Sequence, residues 1–454
     1  MMPTSAKALV LVSRFFPPQR SVGGYRIQHM AEFFAGRGWQ VSVVTARDRR
    51  ADTAAHRAVQ EAMPGVRIRY THSPRNPIPR SSPRPGVEQA RGDGTATSTR
   101  RFAGWVKSVR DLLVFPDDVN LWIPAAFVAA RREAKGDRHV FVLTSAPPFS
   151  AHVAGLLLKR SAGGRITWIA DFRDPYLYPE RDYSRRFVDR WHRRLFGRIL
   201  RGADYVLGTT DGILGTFDLG GLATDRQGIR VPNGVPRGLF DGVTPETLAA
   251  GKVVFAHLGD LDYDHRNPGP LLQAFGDLAR AGHLRADQFE LHFFGEQGQW
   301  GSASVTSMAD AYGCASSVFL HAHVAHQRAL AIMKGADVLV LLAEDQPLSI
   351  PAKTYEYLAS GRPVLVFTEA GSATHGLLQG MPGVCIVTAR RPDEVKAGVL
   401  RLMRPGADAG VAPSAGEGAA LTIESHLARL EAHLLAGVAE RGAADRLGQI
   451  APDR

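Results

Sequence analysis

The stretch AEDQPLSIPAKTYEYLASGRPVLVF, residues Ala343–Phe367, decides how the rest of the chain is interpreted. It follows a continuous apolar run, Val338–Leu342, which is typical of a parallel strand buried on both faces. Pro351 suits the start of a helix and Gly361 its end, and Val364–Phe367 is a second apolar strand. The pattern predicts a short helix whose N-terminus lies at the carboxyl edge of a parallel sheet, where open α/β folds bind ligands.

Lys353 is a cation in the first turn of this helix, where the helix dipole disfavours positive charge. A bound phosphate would stabilise the lysine there, because helix N-termini are ready-made anion sites. The alternative is an ion pair between Lys353 and Glu356 on an ordinary exposed helix. The segment alone leaves both interpretations open.

The length and amino-acid composition limit the classes of protein to which the chain can belong. The 454 residues suffice for two domains, and 44% hydrophobic with 22% charged residues is usual for a globular enzyme. The two cysteines, Cys314 and Cys385, exclude a disulfide framework, and no apolar run approaches the roughly 20 residues that span a bilayer. A signal peptide is not expected, because the apolar run Ala8–Val12 is short and Arg14 follows closely. We therefore expect a cytoplasmic protein.

The formal net charge of +11 favours anionic partners: nucleotides, phospholipid surfaces or nucleic acid. Nucleic acid is not expected, because no recognised motif or aromatic platform accompanies the charge. The Arg- and Pro-rich segment Ser73–Arg101 predicts a mobile basic loop. Two basic amphipathic stretches, Phe102–Phe115 and Tyr183–Arg201, are candidates for contact with an anionic membrane surface. For the first stretch, a helix packed on its own domain is the alternative.

The first half of the chain begins with a strand, a loop, a helix and a strand. The strands are Ala8–Val12 and Val41–Thr45, and the loop leads through Gly23-Gly24 into a helix from about Tyr25 to Gly36. The glycine pair indicates close approach of a backbone to a partner. Neither G-x-G-x-x-G nor G-x-x-x-x-G-K-[ST] occurs, which disfavours a dehydrogenase and a P-loop ATPase.

Polar residues follow a later strand of this half. Ile166–Ile169 is apolar, and Asp171 to Asp174 come directly after it, in the ligand position of a parallel sheet. A helix containing His152 precedes that strand. Further strands are expected at Val140–Thr144, Tyr205–Gly208 and Ile229–Val231.

The same alternation restarts near residue 250. Strands are expected at Val253–Leu258, Phe289–Phe294, Val318–Ala322 and Val384–Val387, with helices at Gly269–Ala281 and Gln327–Gly335. The fold class is therefore α/β, with two doubly wound, Rossmann-like domains facing each other across a cleft. We expect the domains at residues 1–235 and 236–404, followed at 405–454 by a linker, a helix at Thr422–Ala436 and a frayed end at 437–454.

Clustered histidines and polar strand ends are the remaining candidates for chemistry. His321, His323 and His326 have no carboxylate at useful spacing, so we expect no metal site. No G-x-S-x-G elbow is present. The polar clusters at strand ends suit a diphosphate-bearing ligand, since glycines admit its approach and Arg or Lys balances its charge.

Several quoted pieces resemble the retaining glycosyltransferases of the GT-B fold, in particular family four. They are FFPPQRSVGGYRIQHMAEFFAGRGWQVSVVTA, TSAPPFSAHVAGLLLKR, ADFRDPY, VPNGV and PAKTYEYLASGRPVLVF, which together extend over nearly the whole chain. The resemblance implies an N-terminal acceptor domain and a C-terminal domain that binds a nucleotide-diphosphate sugar. It implies transfer of that sugar to a glycan or lipid-linked acceptor, with retention, without metal and without a cofactor.

The resemblance also implies roles for single residues. Glu356 would bind the nucleotide ribose, and Gly23 and Gly24 would face the donor diphosphate. The other donor-binding candidates are Gly259, Arg266 and Lys353, of which the two cations would stabilise the leaving diphosphate. Candidates for contacts at the reacting centre are Asp171, Asp174 and His152. The terminal helix would return to the N-terminal domain.

Two positions depart from the family pattern. Leu348 stands eight residues before Glu356, where the family has a second glutamate, so Glu344 or the amides around Ser349 and Ile350 are left to meet the donor sugar. Asp260 follows Gly259 where arginine is common. The alternative function is therefore a GT-B-like binding or pseudo-enzyme subunit that has lost transfer activity.

Overall fold

The computed structural model describes residues 7–19, 21–74, 76, 113–136, 139–179, 187–220, 228–261, 266–300, 303–404 and 421–450. Almost all of the predicted mobile loop at 73–101 lies outside these residues, as do 102–112 of the first amphipathic stretch and the predicted linker. The chain divides into two compact units, Met1–Val231 and Pro232–Arg454.

The described residues of the first unit contain one parallel sheet with the strand order β3-β2-β1-β4-β5-β6-β7. Its strands are β1 (Ala8–Val12), β2 (Gln40–Ala46), β3 (Val66–Thr71), β4 (Val140–Ala146), β5 (Ile166–Phe172), β6 (Tyr205–Gly208) and β7 (Ile229–Arg230). Its helices are α1 (Val22–Gly36), α2 (Thr53–Ala62), α3 (Ile123–Glu133), α4 (Ser150–Ala162), α5 (Phe187–Gly202) and α6 (Asp211–Gly215), with 3-10 turns at Asn120–Trp122, Gly163–Arg165 and Thr216–Gly220.

The described residues of the second unit contain a parallel sheet with the order β12-β9-β8-β13-β14-β15 and a small antiparallel pair, β10-β11. The strands are β8 (Val253–Leu258), β9 (Phe289–Phe294), β10 (Gln299–Trp300), β11 (Ala303–Ser304), β12 (Val318–His321), β13 (Val338–Leu342), β14 (Val364–Phe367) and β15 (Val384–Val387). The helices are α7 (Gly269–Arg280), α8 (Val305–Tyr312), α9 (His326–Gly335), α10 (Lys353–Ala359), α11 (Ala373–Leu378), α12 (Pro392–Leu402) and α13 (Ile423–Ile450), with a 3-10 turn at Ala315–Ser317.

The central strand β13 shows why the second sheet is covered on both faces. Val338, Val340 and Leu342 are buried in one hydrophobic core. Leu339 and Leu341, which point the opposite way, are buried in a second core. A continuous apolar run is the pattern that a parallel strand between two helix layers requires. The prediction of two doubly wound, Rossmann-like domains is confirmed.

Each sheet has one point where the strand order reverses. In the first unit the reversal lies between β1 and β4, and in the second between β8 and β13. Strands on the two sides of such a point send their connections in opposite directions, which opens a crevice at the carboxyl edge of the sheet. The segments that follow β1, β8 and β13 carry the Gly23-Gly24 pair, Gly259 and Lys353, so the topology brings the predicted residues to these two crevices.

The end of the chain differs from expectation. Helix α13 continues to Ile450, so the prediction of a frayed end at residues 437–454 is wrong as far as that residue. The helix begins beside the first residues of the second unit: Val235 N donates to Leu421 O and Ile423 N donates to Val235 O, both at 3.0 Å. Within the described part of the chain, no helix has the length and apolar character needed to cross a bilayer.

Candidate active site

Lys353 and Gly259 meet at the reversal point of the second sheet. Gly259 follows β8 with a φ of +146°, a conformation that favours glycine. Its hydrogen faces Lys353 so closely that a Cβ atom at this position would overlap Nζ. The Lys353 ammonium donates a hydrogen bond to the carbonyl oxygen of Leu258. The glycine is therefore required both by its backbone conformation and by the lysine that lies against it.

The charge of Lys353 is disfavoured where it lies. Burial and, to a smaller degree, the neighbouring Arg266 guanidinium lower its pKa to about 8, although Glu356 and Asp260 act in the opposite direction. Arg266 Nη1 donates to the carbonyl oxygen of Asp260 at 3.0 Å. Two cations thus converge on the loop after β8. A bound anion would relieve their repulsion, as expected of a site for a diphosphate.

The carboxylate of Asp260 is turned to other partners. Asp260 Oδ1 accepts a hydrogen bond from Glu296 N at 3.0 Å and lies 2.9 Å from His323 Nε2. Arg266 therefore bonds to the backbone of Asp260 rather than to its side chain. The departure at this position leaves Arg266 and Lys353 as the converging cations of this loop.

Two buried side chains that the sequence analysis did not single out hold the end of β8. Tyr357 is fully buried, and its hydroxyl accepts a hydrogen bond from Leu258 N at 2.9 Å. His257 Nδ1 lies 2.9 Å from the carbonyl oxygen of Val340, whereas Nε2 is buried and finds no hydrogen-bond partner among the residues that the structure describes. Burial lowers the pKa of His257 to about 3, and the nearby Lys353 charge adds to the shift. A neutral histidine therefore supports the loop beneath Lys353.

Glu344, one candidate for contact with the donor sugar, lies in the segment between β13 and α10. Glu344 Oε1 accepts a hydrogen bond from Ala389 N at 3.1 Å, so this carboxylate is turned toward the loop after β15. Burial raises its pKa, and Glu369 and Asp345 act in the same direction. Ser349 N donates to Gln346 O at 3.3 Å.

Asp171 is held inside the first unit by Arg26. Arg26 Nη2 donates to Asp171 Oδ1 and to the carbonyl oxygen of Val231, both at 2.9 Å, and Ser145 Oγ donates to Asp171 Oδ2 at 2.7 Å. Burial by itself would raise the pKa of Asp171, but Arg26 outweighs it and the net shift is downward. The carboxylate is ionised, fully buried and engaged by the protein's own side chains.

His152 is likewise buried, in the core beside Phe172. Its Nδ1 lies 2.8 Å from Thr144 Oγ1, which also accepts a hydrogen bond from Trp168 Nε1 at 2.9 Å. Burial lowers the pKa of His152 to about 3, so the ring is neutral at physiological pH. Asp174 differs from both, since it is partly exposed, and burial raises its pKa despite the nearby Arg173 charge.

Gly23 and Gly24 lie in the first turn of helix α1, which begins at Val22 and not, as predicted, near Tyr25. Ser21 caps this helix by accepting a hydrogen bond from Gly24 N at 3.0 Å. The space above Gly23 is filled by the guanidinium of Arg173, which a Cβ atom at Gly23 would overlap. Arg173 was not among the predicted site residues.

The three histidines of the sequence cluster separate in the structure. His321 Nε2 lies 3.0 Å from His292 Nδ1, whereas His323 pairs with Asp260. Among the described residues, no group of three or more His, Cys, Asp or Glu side chains is arranged to hold a metal ion.

Residues 252–405 match the family model for glycosyl transferases group 1. Over this segment the chain is similar to the group 1 glycosyltransferases. The predicted residues Gly259, Arg266, Lys353 and Glu356 all lie within it. A comparison with curated proteins found no significant match to the chain.

Solved structures of low sequence identity share the fold of this chain. The N-terminal domain of Candida albicans trehalose-6-phosphate phosphatase aligns with a TM-score of 0.63 and 11% identity over 95% of this chain and 97% of that one. Anabaena Alr3699/HepE, solved with UDP and glucose, aligns with a TM-score of 0.60 and 12% identity over 94% and 99%. The lipopolysaccharide outer core galactosyltransferase WaaB aligns with a TM-score of 0.52 and 11% identity over 88% and 91%. The predicted resemblance to a GT-B glycosyltransferase is confirmed.

Proposed function

We propose that the protein transfers a sugar from a nucleotide-diphosphate donor to a glycan or lipid-linked acceptor, with retention of configuration and without a metal. The observation that carries the proposal is the convergence of Lys353 and Arg266 beside Gly259, inside the segment that matches the group 1 family model. Sugar transfer is the activity of that family. The donor class, the stereochemistry and the acceptor are our proposal.

The two cations have a defined task in such a reaction. When the bond between the sugar and the diphosphate breaks, negative charge develops on the leaving oxygen. Lys353 and Arg266 would stabilise this charge and would bind it more strongly than they bind the ground state. Glu356, in the first turn of α10, would accept hydrogen bonds from the ribose hydroxyls.

The three residues predicted to lie at the reacting centre differ in how far their side chains are exposed to solvent. Asp174 is partly exposed and is the candidate for contact with reacting atoms. Asp171 and His152 are fully buried, so we assign them a positioning role. No covalent nucleophile is assigned.

A membrane-associated acceptor is supported by the surface of helix α5. Phe187 and Trp191 on this helix are 53% and 40% exposed. Exposed arginines accompany them: Arg190, Arg193, Arg194, Arg198 and Arg201. Exposed aromatic rings beside basic side chains are the features of helices that bind anionic lipid surfaces. One similar structure is that of a lipopolysaccharide outer core galactosyltransferase.

The alternative is a binding subunit that retains the fold without transfer. Leu348 in place of a glutamate and Asp260 in place of an arginine favour it. Both functions require donor binding, whereas transfer requires in addition that the bond to the sugar is broken. Donor hydrolysis therefore separates them.

The experiment is a thermal-shift screen of the purified full-length protein against UDP, GDP, ADP and TDP sugars, followed by a donor-hydrolysis assay. We expect one donor to stabilise the protein, and Glu356→Ala to weaken that binding about tenfold or more. Glu394→Ala is the matched control, because Glu394 is also a first-turn glutamate of a helix in the same unit. Three results together would support the proposal. A donor binds and is hydrolysed, EDTA leaves the hydrolysis rate unchanged, and the released sugar has the same anomeric configuration as in the donor.

Two results would overturn it. If the protein binds none of the nucleotide sugars, the proposed donor site does not exist. Binding without hydrolysis or transfer in the presence of candidate acceptors would establish the alternative.

A further inference from the structure

His257, the residue before the end of β8, carries a buried ring nitrogen that no described group engages. The residue is 1% exposed. Nδ1 lies 2.9 Å from the carbonyl oxygen of Val340, which can only accept a hydrogen bond, so Nδ1 carries the proton of the neutral ring. Nε2 is therefore an acceptor, and it finds no donor among the residues that the structure describes. Burying such an atom without a partner costs free energy, so a donor is expected.

The neighbouring backbone amides already donate elsewhere. Leu258 N donates to the hydroxyl of Tyr357 at 2.9 Å. Gly259 N donates to the carbonyl oxygen of Phe294 at 2.7 Å. Because both amides are engaged, the donor for Nε2 must be a side chain or a bound molecule.

The ammonium of Lys353 is the side chain that meets this requirement. His257 Nε2 lies 3.8 Å from the position that a Cβ atom would take at Gly259, and Lys353 Nζ overlaps that same position. The two nitrogens are therefore neighbours. An ammonium has three N–H donors, of which one serves the carbonyl oxygen of Leu258. Two donors remain for other acceptors.

Helix α10 holds the lysine at this point. Lys353 and Tyr357 are four residues apart and lie on the same face of the helix. Lys353 bonds to the carbonyl oxygen of Leu258, and Tyr357 bonds to its amide. Both backbone polar groups of the last residue of β8 are thus tied to α10, which keeps the lysine side chain beside His257.

We propose that His257 positions the Lys353 ammonium by accepting a hydrogen bond from it at Nε2. Leu258 O and His257 Nε2 then take two of the three N–H groups and leave the third for an anionic ligand. The bond favours the charged form of the lysine and so opposes the burial that lowers its pKa. The inference deepens the proposed function and rests on it for the identity of the anion, whereas the bond between the two side chains does not depend on it.

The first test is the protonation state of the His257 ring in the full-length protein without ligand. Nitrogen NMR with nitrogen-labelled histidine distinguishes the two tautomers, and His257→Gln identifies the resonances. We expect a proton on Nδ1 and an Nε2 whose chemical shift indicates an accepted hydrogen bond. In Lys353→Met this shift should move toward that of an acceptor without a donor. A proton on Nε2, or a shift that Lys353→Met leaves unchanged, would overturn the inference.

Two substitutions separate the roles of the two ring nitrogens. His257→Gln places an amide oxygen where Nε2 lies, whereas His257→Asn keeps a donor for Val340 O and does not reach Lys353. Trace acetylation read at Lys353 by mass spectrometry, between about pH 6 and 10, measures the pKa of the lysine without ligand. We expect His257→Asn to lower this pKa by about one pH unit, which is a tenfold change in the protonation equilibrium. His257→Gln should keep it at the wild-type value of about 8.

Inorganic pyrophosphate is the probe for the effect on anion binding. At about pH 8.5, calorimetry should show roughly tenfold weaker affinity in His257→Asn and wild-type affinity in His257→Gln. His283→Asn is the control, because His283 is an exposed histidine of the same unit, and it should bind as the wild type does. A purely structural role would lower the stability of both His257 variants without moving the pKa of Lys353, and that result would overturn the inference.

Failure of the inference and failure of the proposed function give different results. If the wild type binds neither pyrophosphate nor any nucleotide sugar, the donor site is absent, while NMR and acetylation still decide whether His257 bonds to Lys353. If a donor binds but the pKa of Lys353 is the same in the wild type and His257→Asn, the inference alone is overturned. Should His257→Asn fold poorly, the NMR comparison of the wild type with Lys353→Met decides, because it leaves the histidine in place.

Discussion

The Arg26 guanidinium holds the Asp171 carboxylate through two hydrogen bonds, from Nε at 3.2 Å and from Nη2 at 2.9 Å. Both side chains are almost completely buried. Arg26 also donates to the carbonyl oxygen of Val231, the last residue of the first unit. The pair therefore joins helix α1, the end of β5 and the end of the first unit.

Replacing Asp171 should destabilise the fold. Asp171→Asn keeps the shape but leaves the Arg26 charge buried without compensation, which typically costs about 3–5 kcal/mol. Urea unfolding followed by tryptophan fluorescence measures the change. Asp174→Asn is the control, because burial raises the pKa of Asp174, and we expect little change in its stability. A stable Asp171→Asn protein that has lost only activity would show instead that Asp171 acts in the reaction.

Long apolar strands were the part of the fold that could be predicted to the residue. Val338–Leu342 and Val364–Phe367 are observed as predicted, because strands between two helix layers require apolar side chains at each position. Strand β3 was missed. Its sequence VRIRYT alternates, with Arg67 and Arg69 exposed and paired with Glu133, so it resembles the basic segment around it.

The site was predictable in its position but not in its pairings. Gly259 and Lys353 could be placed at the same sheet edge, since the carboxyl ends of parallel strands share an edge. The contact between Arg26 and Asp171 spans 145 positions and depends on the strand order, which the sequence pattern does not determine. His152 was expected at the reacting centre, and the structure buries it beside Thr144 and Trp168, contacts that the sequence pattern does not determine.

The contact between Gly259 and Lys353 can be tested with a pair of glycine variants. Gly259→Ala adds backbone strain and a methyl group that would overlap Lys353 Nζ, so we expect loss of stability and of nucleotide binding. Gly313→Ala is the matched control: its φ is +75°, and nothing lies within 4 Å of the added Cβ atom. The control should lose about 1 kcal/mol from strain alone and keep its affinity. Equal nucleotide affinity in the two variants would contradict the role of the contact.

Buried neutral His152 should make the first unit sensitive to acid. Its pKa is about 3 in the fold and about 6.5 when unfolded, so the unfolded chain binds an extra proton between these values and stability falls as the pH decreases. The slope contributed is about 1.4 kcal/mol per pH unit. His152→Leu should remove that contribution. Tryptophan fluorescence in urea at pH 6.5, 5.5 and 4.5 reports it, because five of the six tryptophans precede residue 232.

An unchanged slope in His152→Leu would show that this histidine is protonated in the folded state. His152→Gln is the control for packing. It should remove the pH dependence of stability in the same way as His152→Leu, while keeping a polar group beside Thr144.

The exposed face of α5 should bind anionic vesicles. Replacing Arg190, Arg193 and Arg194 by alanine removes three cations, each worth about 1 kcal/mol near an anionic surface. We expect vesicle affinity to fall about 100-fold, and to fall further in Trp191→Ser. Arg131→Ala and Arg132→Ala on α3 are controls, because both side chains are exposed in the same unit. Binding that is the same to neutral and anionic vesicles would contradict the proposal.

The lowered pKa of Lys353 predicts that anion binding is coupled to proton uptake. The free site has a pKa of about 8, since burial and Arg266 disfavour the ammonium. A diphosphate beside Nζ would favour the charged form and raise this pKa. Above about pH 8, a nucleoside diphosphate should therefore bind with uptake of up to one proton, and its affinity should fall by up to tenfold per pH unit.

Calorimetry at about pH 8.5, in buffers that differ in ionisation enthalpy, measures the proton uptake. In the absence of ligand, stability should rise as the pH increases from about 8 toward 10.5, because the unfolded chain then holds a proton that the folded state has lost. Lys353→Arg should abolish the proton uptake, because the guanidinium stays charged throughout this range. Uptake that persists in Lys353→Arg would assign the titrating group to a residue other than Lys353. Binding without proton uptake in the wild type would show that the ammonium does not face the bound diphosphate.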